Sequence, residues 1–265
     1  MSRQRFAPAR LSLSLAIVAL GLAASGGAQA TPLAVAPTHA WTFDEGYGAH
    51  VAYDSGSVGG LNGTGGADAL WVTGEAPALG PARDRVVFMF PQAGTNDPSA
   101  FVDFGNAAGA FQQSDFTVSH FFVTSHNASG TLSDVIGNRT SYGHGNFFAV
   151  RMRGDGILSV EIDQDAAGTN YVGFLAEGHP VNDSRLHHLA YVRQGATLSL
   201  YIDGALVKTG QTASGQPTVI TGADSFRIGR RAPFAFTSLA AFYDDLRVYD
   251  RGLSADEVRT LANGG

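Results

Sequence analysis

Residues 147–163 contain the clearest structural pattern of the chain, and they read Phe147-Phe-Ala-Val-Arg-Met-Arg153, Gly154-Asp-Gly156 and Ile157-Leu-Ser-Val-Glu-Ile-Asp163. Apolar and polar side chains alternate in both outer runs, which is the side-chain period of a β-strand. The short glycine-containing loop between the runs predicts an antiparallel hairpin. We expect one face of this hairpin to pack in a core and the other to be wet or functional.

The same period of two continues on both sides of this hairpin, from Ala40 onward, between clusters of Gly, Asn and Asp. Many short strands separated by turn residues predict an all-β chain with two antiparallel sheets packed as a β-sandwich. A short C-terminal helix is predicted where Ser254 and Glu257 form a capping box. The predicted strands are 40–44, 86–90, 101–104, 116–124, 132–137, 147–153, 157–163, 187–193, 197–202, 205–209, 226–228 and 241–249.

Composition limits the other possibilities. The chain has 265 residues, of which 44% are hydrophobic and 15% charged, with 34 glycines and no cysteine. This length fits one domain or at most two, and the low charge and high glycine content exclude a helical bundle, a coiled coil and a disordered tail. The absence of cysteine excludes disulfides, thiol catalysis and thiolate zinc sites.

Residues 1–30 have the pattern of a signal peptide. Three arginines precede an apolar run at 11–22, and Ala28-Gln29-Ala30 forms a small-x-small cleavage site. The sequence therefore predicts a mature single domain over 31–265 that is secreted or periplasmic. We expect no membrane insertion, because the apolar run is shorter than the roughly 20 residues that a spanning helix needs.

The predicted mature chain carries 14 basic against 23 acidic side chains. This balance argues against a nucleic-acid partner, since binding to phosphates relies on Lys and Arg. Eighteen of the acids are Asp, many of them beside Gly, Asn or Ser. Short carboxylates in loops form turns, and they are also the usual oxygen ligands of calcium.

Several motifs stand in a fixed order along the chain: Trp41-Thr-Phe-Asp-Glu-Gly46 with Asp54-Ser-Gly56, Phe116-Thr-Val118, Leu186-His-His-Leu-Ala-Tyr-Val-Arg193 running into Leu198-Ser-Leu-Tyr-Ile-Asp-Gly204, Phe226-Arg-Ile-Gly229, and Tyr243-Asp-Asp-Leu-Arg-Val-Tyr249 with Leu253-Ser254. Together they resemble the laminin-G-like jelly roll of the concanavalin A-like lectin/glucanase superfamily, over nearly all of the mature chain. Leu186 and Ala241 depart from the pattern, since the family usually has Trp and Gly there. The resemblance implies a fold and not a particular ligand.

The resemblance also implies a structural calcium where the first and last strands meet. Asp44, Asp54, Asp244 and Asp245 occupy the acidic positions of the matching motifs. A cation with six to eight oxygen ligands would tie the two ends of the domain together. The alternative is that Asp44 and Asp54 are turn residues and that Asp244 or Asp245 bonds backbone at the start of a strand.

Glu161-Ile-Asp163-Gln-Asp165 is the candidate catalytic motif, since glycoside hydrolases of this superfamily carry Glu-x-Asp-x-Glu on a strand. Alternate residues of a strand share a face, and a retaining glycosidase needs two carboxyl groups roughly 5–5.5 Å apart. Glu161 and Asp165 would fill these roles, with Asp163 between them. The alternative is an ordinary solvent-facing strand edge.

The loop 138–146 is the candidate ligand-binding segment, because it offers an aromatic ring and several polar groups in Arg139, Tyr142, His144 and Asn146. We therefore expect a secreted, non-catalytic module that binds a polysaccharide or a glycoprotein glycan and holds a structural calcium. The alternatives are a glycoside hydrolase of the same fold and a structural or adhesion protein of the surface. The sequence does not predict an oligomeric state.

Overall fold

The computed structural model describes residues 35–73, 85–90, 99–127, 132–229 and 238–264, and the leader predicted at 1–30 lies outside these ranges. The described residues form sixteen strands in two antiparallel sheets, followed by one α-helix. The strands are β1 His39–Trp41, β2 Val51–Ala52, β3 Gly63–Gly65, β4 Ala69–Thr73, β5 Arg85–Met89, β6 Phe101–Asp103, β7 Phe116–Val123, β8 Leu132–Gly137, β9 Gly145–Arg153, β10 Leu158–Asp165, β11 Val172–Leu175, β12 His187–Gln194, β13 Thr197–Ile202, β14 Ala205–Gln211, β15 Arg227–Gly229 and β16 Ala241–Tyr249, and the helix α1 is Ala255–Ala262.

The first sheet, sheet A, has the strand order β14-β13-β12-β7-β16-β5-β4, and β1 also pairs with β16. The second sheet, sheet B, has the order β11-β10-β9-β8-β15-β6-β3-β2. Many neighbours in each sheet are distant in sequence, so the chain crosses repeatedly between the sheets. This is the jelly-roll sandwich that the motifs predict.

The core lies between the two sheets. Alternate residues of the hairpin supply it from sheet B, since Phe148, Val150 and Met152 of β9 and Val160 of β10 are buried in it. Sheet A supplies facing side chains such as Tyr191, in contact with Phe148 at 5.7 Å between ring centroids. The alternation read from 147–163 therefore places the correct side chains inside.

The polar face of the hairpin is not wet. Arg151, Ser159, Glu161 and Asp163 point away from the core, yet none is more than 8% exposed. Glu161 and Asp163 are covered by the loop between β8 and β9 and by Tyr171, which bond to them on the outer face of sheet B. This covered polar face positions the candidate site.

The ends of the domain are joined by strand pairing. Trp41 of β1 stands opposite Leu246 of β16, and the Thr38 amide donates to the carbonyl of Val248 at 2.8 Å. The helix α1 begins with the predicted capping box, in which Ser254 and Glu257 exchange hydrogen bonds. Its buried Val258 and Leu261 pack on the outer face of sheet A.

His120 of β7 is buried between the sheets. Its Nε2 lies 3.3 Å from the Tyr191 hydroxyl, and its ring centroid is 5.6 Å from that of Tyr243. Burial lowers the pKa of His120 from 6.5 to about 4, because the imidazolium ion would lose its water. The unfolded chain therefore binds this proton more tightly, and the contribution to stability is lost as the pH falls from 6.5 towards 4.

We predict that replacing His120 with Phe removes an acid-sensitive part of the stability. From the two pKa values, the wild type loses about 2 kcal/mol through this group between pH 7 and pH 5. Urea unfolding of both proteins at the two pH values measures this loss as the difference between the wild type and His120→Phe. Equal losses in the two proteins would contradict the assignment.

Candidate functional site

The candidate site lies on the outer face of sheet B, where residues 138–144 connect β8 to β9. Asn138 anchors the start of this loop, because its Oδ1 accepts a hydrogen bond of 2.8 Å from the Phe148 amide. β10 runs beside β9, with Glu161 opposite Ala149 and Asp163 opposite Phe147. The loop and the acidic motif of β10 therefore meet on one surface.

Glu161 is the centre of this surface. Its Oε2 accepts hydrogen bonds from Arg139 at 2.5 Å and from Arg151, and its Oε1 accepts one from the Tyr171 hydroxyl at 2.9 Å. The two arginines are 5% and 8% exposed. Both oxygens of the carboxylate are thus occupied, Oε2 by two buried arginines and Oε1 by the half-buried Tyr171.

Arg139 shapes the loop. Its Nε donates to the carbonyl of Ser141 at 2.9 Å, and one terminal nitrogen donates to the carbonyls of Tyr142 and Gly143 at 2.8 and 2.9 Å. The guanidinium also lies 4.3 Å from the centre of the Phe147 ring. Arg139, expected as a ligand contact, instead fixes the backbone of residues 141–143, because its own loop and Glu161 use its donors.

His144 is attached to the sheet by a second buried carboxylate. Asp163, fully buried, accepts from His144 Nδ1 at 2.7 Å and from the Gly145 amide at 3.1 Å. The ring of His144 meets Tyr171 edge-on at 5.1 Å. These contacts orient the imidazole while its side chain stays 47% exposed.

Asn146 also has a supporting position. Its side-chain Nδ2 donates to the carbonyls of Gln164 and Val219 at 2.9 and 2.8 Å, and its Oδ1 accepts from the amide and the hydroxyl of Thr221. With these bonds made, Asn146 joins three segments of backbone. Of the four predicted ligand residues, Tyr142 and His144 are the ones that face solvent, and Tyr142 is 60% exposed.

The electrostatics favour an ionised Glu161. Burial alone would raise its pKa, but the charges of Arg151 and Arg139 outweigh this effect and hold the pKa below its ordinary value. Burial, together with the negative charge of Glu161, raises the pKa of Tyr171 to about 12, so its hydroxyl stays a donor at neutral pH.

Each of the three acids in the candidate catalytic motif forms hydrogen bonds with a different part of the protein. A glycosidase acid needs a raised pKa and access to substrate, whereas Glu161 has a lowered pKa and both of its oxygens are occupied. Asp163 is buried, and Asp165 closes a turn by accepting from the amides of Ala167 and Thr169 at 2.9 and 3.1 Å.

The four predicted calcium ligands make separate contacts in the structure. Asp54 has a side chain with no exposed area, and it accepts from the amides of Ala40, Gly56 and Leu61 and from His39 Nδ1 at 2.6 Å. Although burial would raise the pKa of Asp54, these hydrogen bonds lower it. It is the turn residue of the alternative interpretation.

The remaining three aspartates do not complete a ligand set. Asp44 is exposed, and Asp244 Oδ1 accepts from the Asp245 amide at 2.9 Å, where β16 shifts register against β7. In the part of the chain that the structure describes, no three His, Cys, Asp or Glu side chains are grouped so that they could hold a metal ion.

Sequence reasoning missed Tyr171 and Arg151 as parts of the site. The signal for Tyr171 was Gly173, which stands opposite Glu161 in β11. A Cβ at Gly173 would lie 2.0 Å from the Tyr171 hydroxyl, so only glycine lets this ring fold back over the sheet. Arg151 was placed on the polar face of the hairpin, but strand alternation does not show which partner neutralises it.

A family model described as the concanavalin A-like lectin/glucanases superfamily matches residues 95–259, which is more than half of the chain. The chain belongs to this superfamily. The match starts before β6 and ends inside α1, so it includes all of the candidate site. No curated protein matches the chain.

Solved structures of toxin binding domains are similar in fold. The binding domain of Paraclostridial Mosquitocidal Protein 1 has a TM-score of 0.61 at 13% identity, covering 86% of this chain and 52% of its own. A structure on ganglioside-dependent cell entry of botulinum neurotoxin type C has 0.59 at 11%, covering 86% and 51%. The botulinum neurotoxin serotype D domain in complex with N-acetylneuraminic acid has 0.57 at 12%, covering 86% and 50%. This chain thus corresponds to about half the length of each, and the likeness is one of fold.

In the described ranges no helix has the length and apolar character needed to cross a bilayer.

We predict that Glu161→Gln destabilises the protein by about 3 kcal/mol, because it removes the charge that two buried arginines share. Chemical denaturation at neutral pH measures the change. Glu177→Gln is the matched control, since Glu177 pairs with the partly exposed Arg153 at 2.9 Å and such surface pairs contribute little. Equal effects of the two substitutions would refute a central position for Glu161.

Proposed function

We propose that this protein is a non-catalytic carbohydrate-binding module whose ligand is a polysaccharide or a glycoprotein glycan. The observation that carries the proposal is the exposed pair of Tyr142 and His144 on a loop that buried side chains hold in one shape. Sugars bind well to such surfaces, since an aromatic ring packs on their C–H groups and a few fixed polar atoms meet their hydroxyls.

Preorganisation is the physical reason for preferring this loop to other surface loops. A flexible loop loses conformational entropy when it closes on a ligand, and this loss weakens binding. Here Arg139 bonds three loop carbonyls, and Asp163 holds the imidazole of His144. The cost of ordering the loop is therefore met when the protein folds, before any ligand arrives.

The comparisons support the same class of ligand. Two of the similar solved structures concern ganglioside-dependent entry and a complex with N-acetylneuraminic acid. Ganglioside and N-acetylneuraminic acid are ligands of those toxins, and for this reason glycans are the first compounds to test with this protein. The second candidate, a glycoside hydrolase, is less well supported because both oxygens of Glu161 are occupied.

We predict that Tyr142→Ala and His144→Ala each weaken glycan binding about tenfold, which corresponds to 1.4 kcal/mol. Screening the wild type on a glycan array would select the ligand, and calorimetric titration of wild type and variants with that ligand measures the affinities. Tyr47→Ala is the control, since Tyr47 is an exposed tyrosine in another loop.

Unchanged affinity in both loop variants would contradict the proposed site. Hydrolysis of a glycan by the wild type that is absent in Glu161→Gln, with the variant still folded, would favour the enzyme instead. Self-association without binding to any glycan would favour a structural or adhesion protein.

A structural calcium stays a prediction of the sequence. We expect calcium to raise the thermal unfolding midpoint of the protein above its value in a chelator, through oxygen ligands near the junction of β1 and β16. The same scan in magnesium is the control for ionic strength. Equal midpoints in calcium and chelator would exclude a structural calcium. Export through the leader at 1–30 also stays a prediction.

A further inference from the structure

A second concave surface lies away from the loop, at the other end of sheet B. It is an open groove of about 480 Å³ beside β3 and β6, within the range of roughly 300–1,000 Å³ that small-molecule sites occupy. The side chains that line it include Leu61, Asn62, Thr64, Phe101 and Asp103. The groove therefore combines an aromatic and an aliphatic wall with an amide, a hydroxyl and a carboxylate.

Two glycines leave the mouth of the groove open. Gly60 and Gly105 have positive φ angles of +85° and +76°, and no atom lies within 4 Å of the place where a Cβ would stand. Only glycine adopts this backbone shape without strain. The two positions therefore combine a requirement for glycine with free space that a side chain would occupy.

Asn62 is held so that one end of its amide is free. Its Oδ1 accepts from the Asp54 amide at 3.0 Å, and Asp54 in turn accepts from the Leu61 amide at 3.1 Å. The indole of Trp41 donates to the Leu61 carbonyl at 2.8 Å, which fixes the same loop to the core. Asn62 Nδ2 and the Thr64 hydroxyl form no hydrogen bond with another described residue.

Asp103 is held in the same way on the facing strand. Its Oδ2 accepts from Arg227 Nε at 2.8 Å and its Oδ1 from the Gly105 amide at 2.8 Å. The guanidinium of Arg227 packs 4.7 Å from the centre of the Phe101 ring. The pair of Asp103 and Arg227 is neutral as a whole, and the carboxylate keeps a lone pair for a hydroxyl donor.

From these contacts we infer that the groove is a second binding site, for an uncharged sugar unit. Phe101 and Leu61 offer apolar contacts to the C–H face of a pyranose ring, Asn62 Nδ2 donates to one hydroxyl oxygen, and Asp103 accepts from another. An anionic sugar is disfavoured, because its carboxylate would meet Asp103 while Arg227 is already paired. The site is distinct from the loop of Tyr142 and His144, and it does not depend on that proposed function.

The test uses the full chain labelled with ¹⁵N and four uncharged disaccharides, cellobiose, maltose, lactose and laminaribiose, with N-acetylneuraminic acid as the anionic comparison. We expect at least one disaccharide at millimolar concentration to shift the amide signals of Gly60, Thr64 and Gly105. N-Acetylneuraminic acid leaves these signals unchanged. The inference would be overturned if none of the disaccharides shifted these signals, or if N-acetylneuraminic acid shifted them equally.

Two variants locate the ligand. Thr64→Tyr fills the groove from an exposed strand position, where tyrosine is well tolerated, and should weaken disaccharide binding about tenfold or more. Asn62→Asp keeps the oxygen that accepts from Asp54 and replaces the free donor, so it should weaken binding even if Thr64→Tyr does not fold. Thr209→Tyr, at an exposed position of β14, is the matched control with unchanged affinity.

The outcomes separate the two sites. Disaccharide binding that is lost in Tyr142→Ala but retained in Thr64→Tyr and Asn62→Asp would place the sugar on the loop and overturn the groove. Binding that is lost in the groove variants and retained in Tyr142→Ala supports the groove, whatever the outcome for the loop.

Discussion

The candidate site depends on one buried carboxylate, Glu161, which accepts hydrogen bonds from two arginines on the outer face of a sheet. A sheet of a sandwich usually presents this face to water. Here a charge placed there recruits Arg139 from the neighbouring loop and Tyr171 from the next turn, and their side chains exclude solvent. Because breaking such a pair leaves an unpaired buried charge, arrangements of the loop that separate Arg139 from Glu161 are energetically unfavourable. The backbone that carries the exposed side chains of the loop is therefore held in place by these buried contacts.

Much of the fold could be predicted because alternation is a local signal. The bounds of β8, β13 and β16 agree with the sequence prediction. β2, β3, β4 and β11 were missed. β3 is Gly-Thr-Gly, and in β11 Gly173 interrupts three apolar residues, so neither strand shows a regular alternation of apolar and polar side chains. They exist because neighbouring strands supply hydrogen-bonding partners, and such partners are distant in sequence.

The sequence predicts which residues of the candidate site lie near one another, but not which contacts their side chains make. Arg139, Tyr142 and His144 lie together because one short loop carries them, and Asn146 follows at the start of β9. Whether a long polar side chain faces a ligand or its own backbone depends on which carbonyls lie within reach. Arg139 donates to the backbone carbonyls of residues 141–143. Asn146 donates to the carbonyls of Gln164 and Val219. In the same way, the carboxylate of Asp54 is surrounded by backbone amides that are near in space, which its sequence position does not show.

A single row of side chains links the loop to the groove. Across sheet B, Thr64, Asp103, Arg227, Gly137, Ala149, Glu161 and Gly173 stand opposite one another on successive strands. Asp103 and Arg227 form an ion pair near one end of this row, and at the other end Glu161 pairs with Arg139 and Arg151. Five strand spacings separate Thr64 from Glu161, about 24 Å. If the loop and the groove both bind sugar as proposed, this spacing on one sheet would favour a long glycan over a short one, because the second contact would be intramolecular.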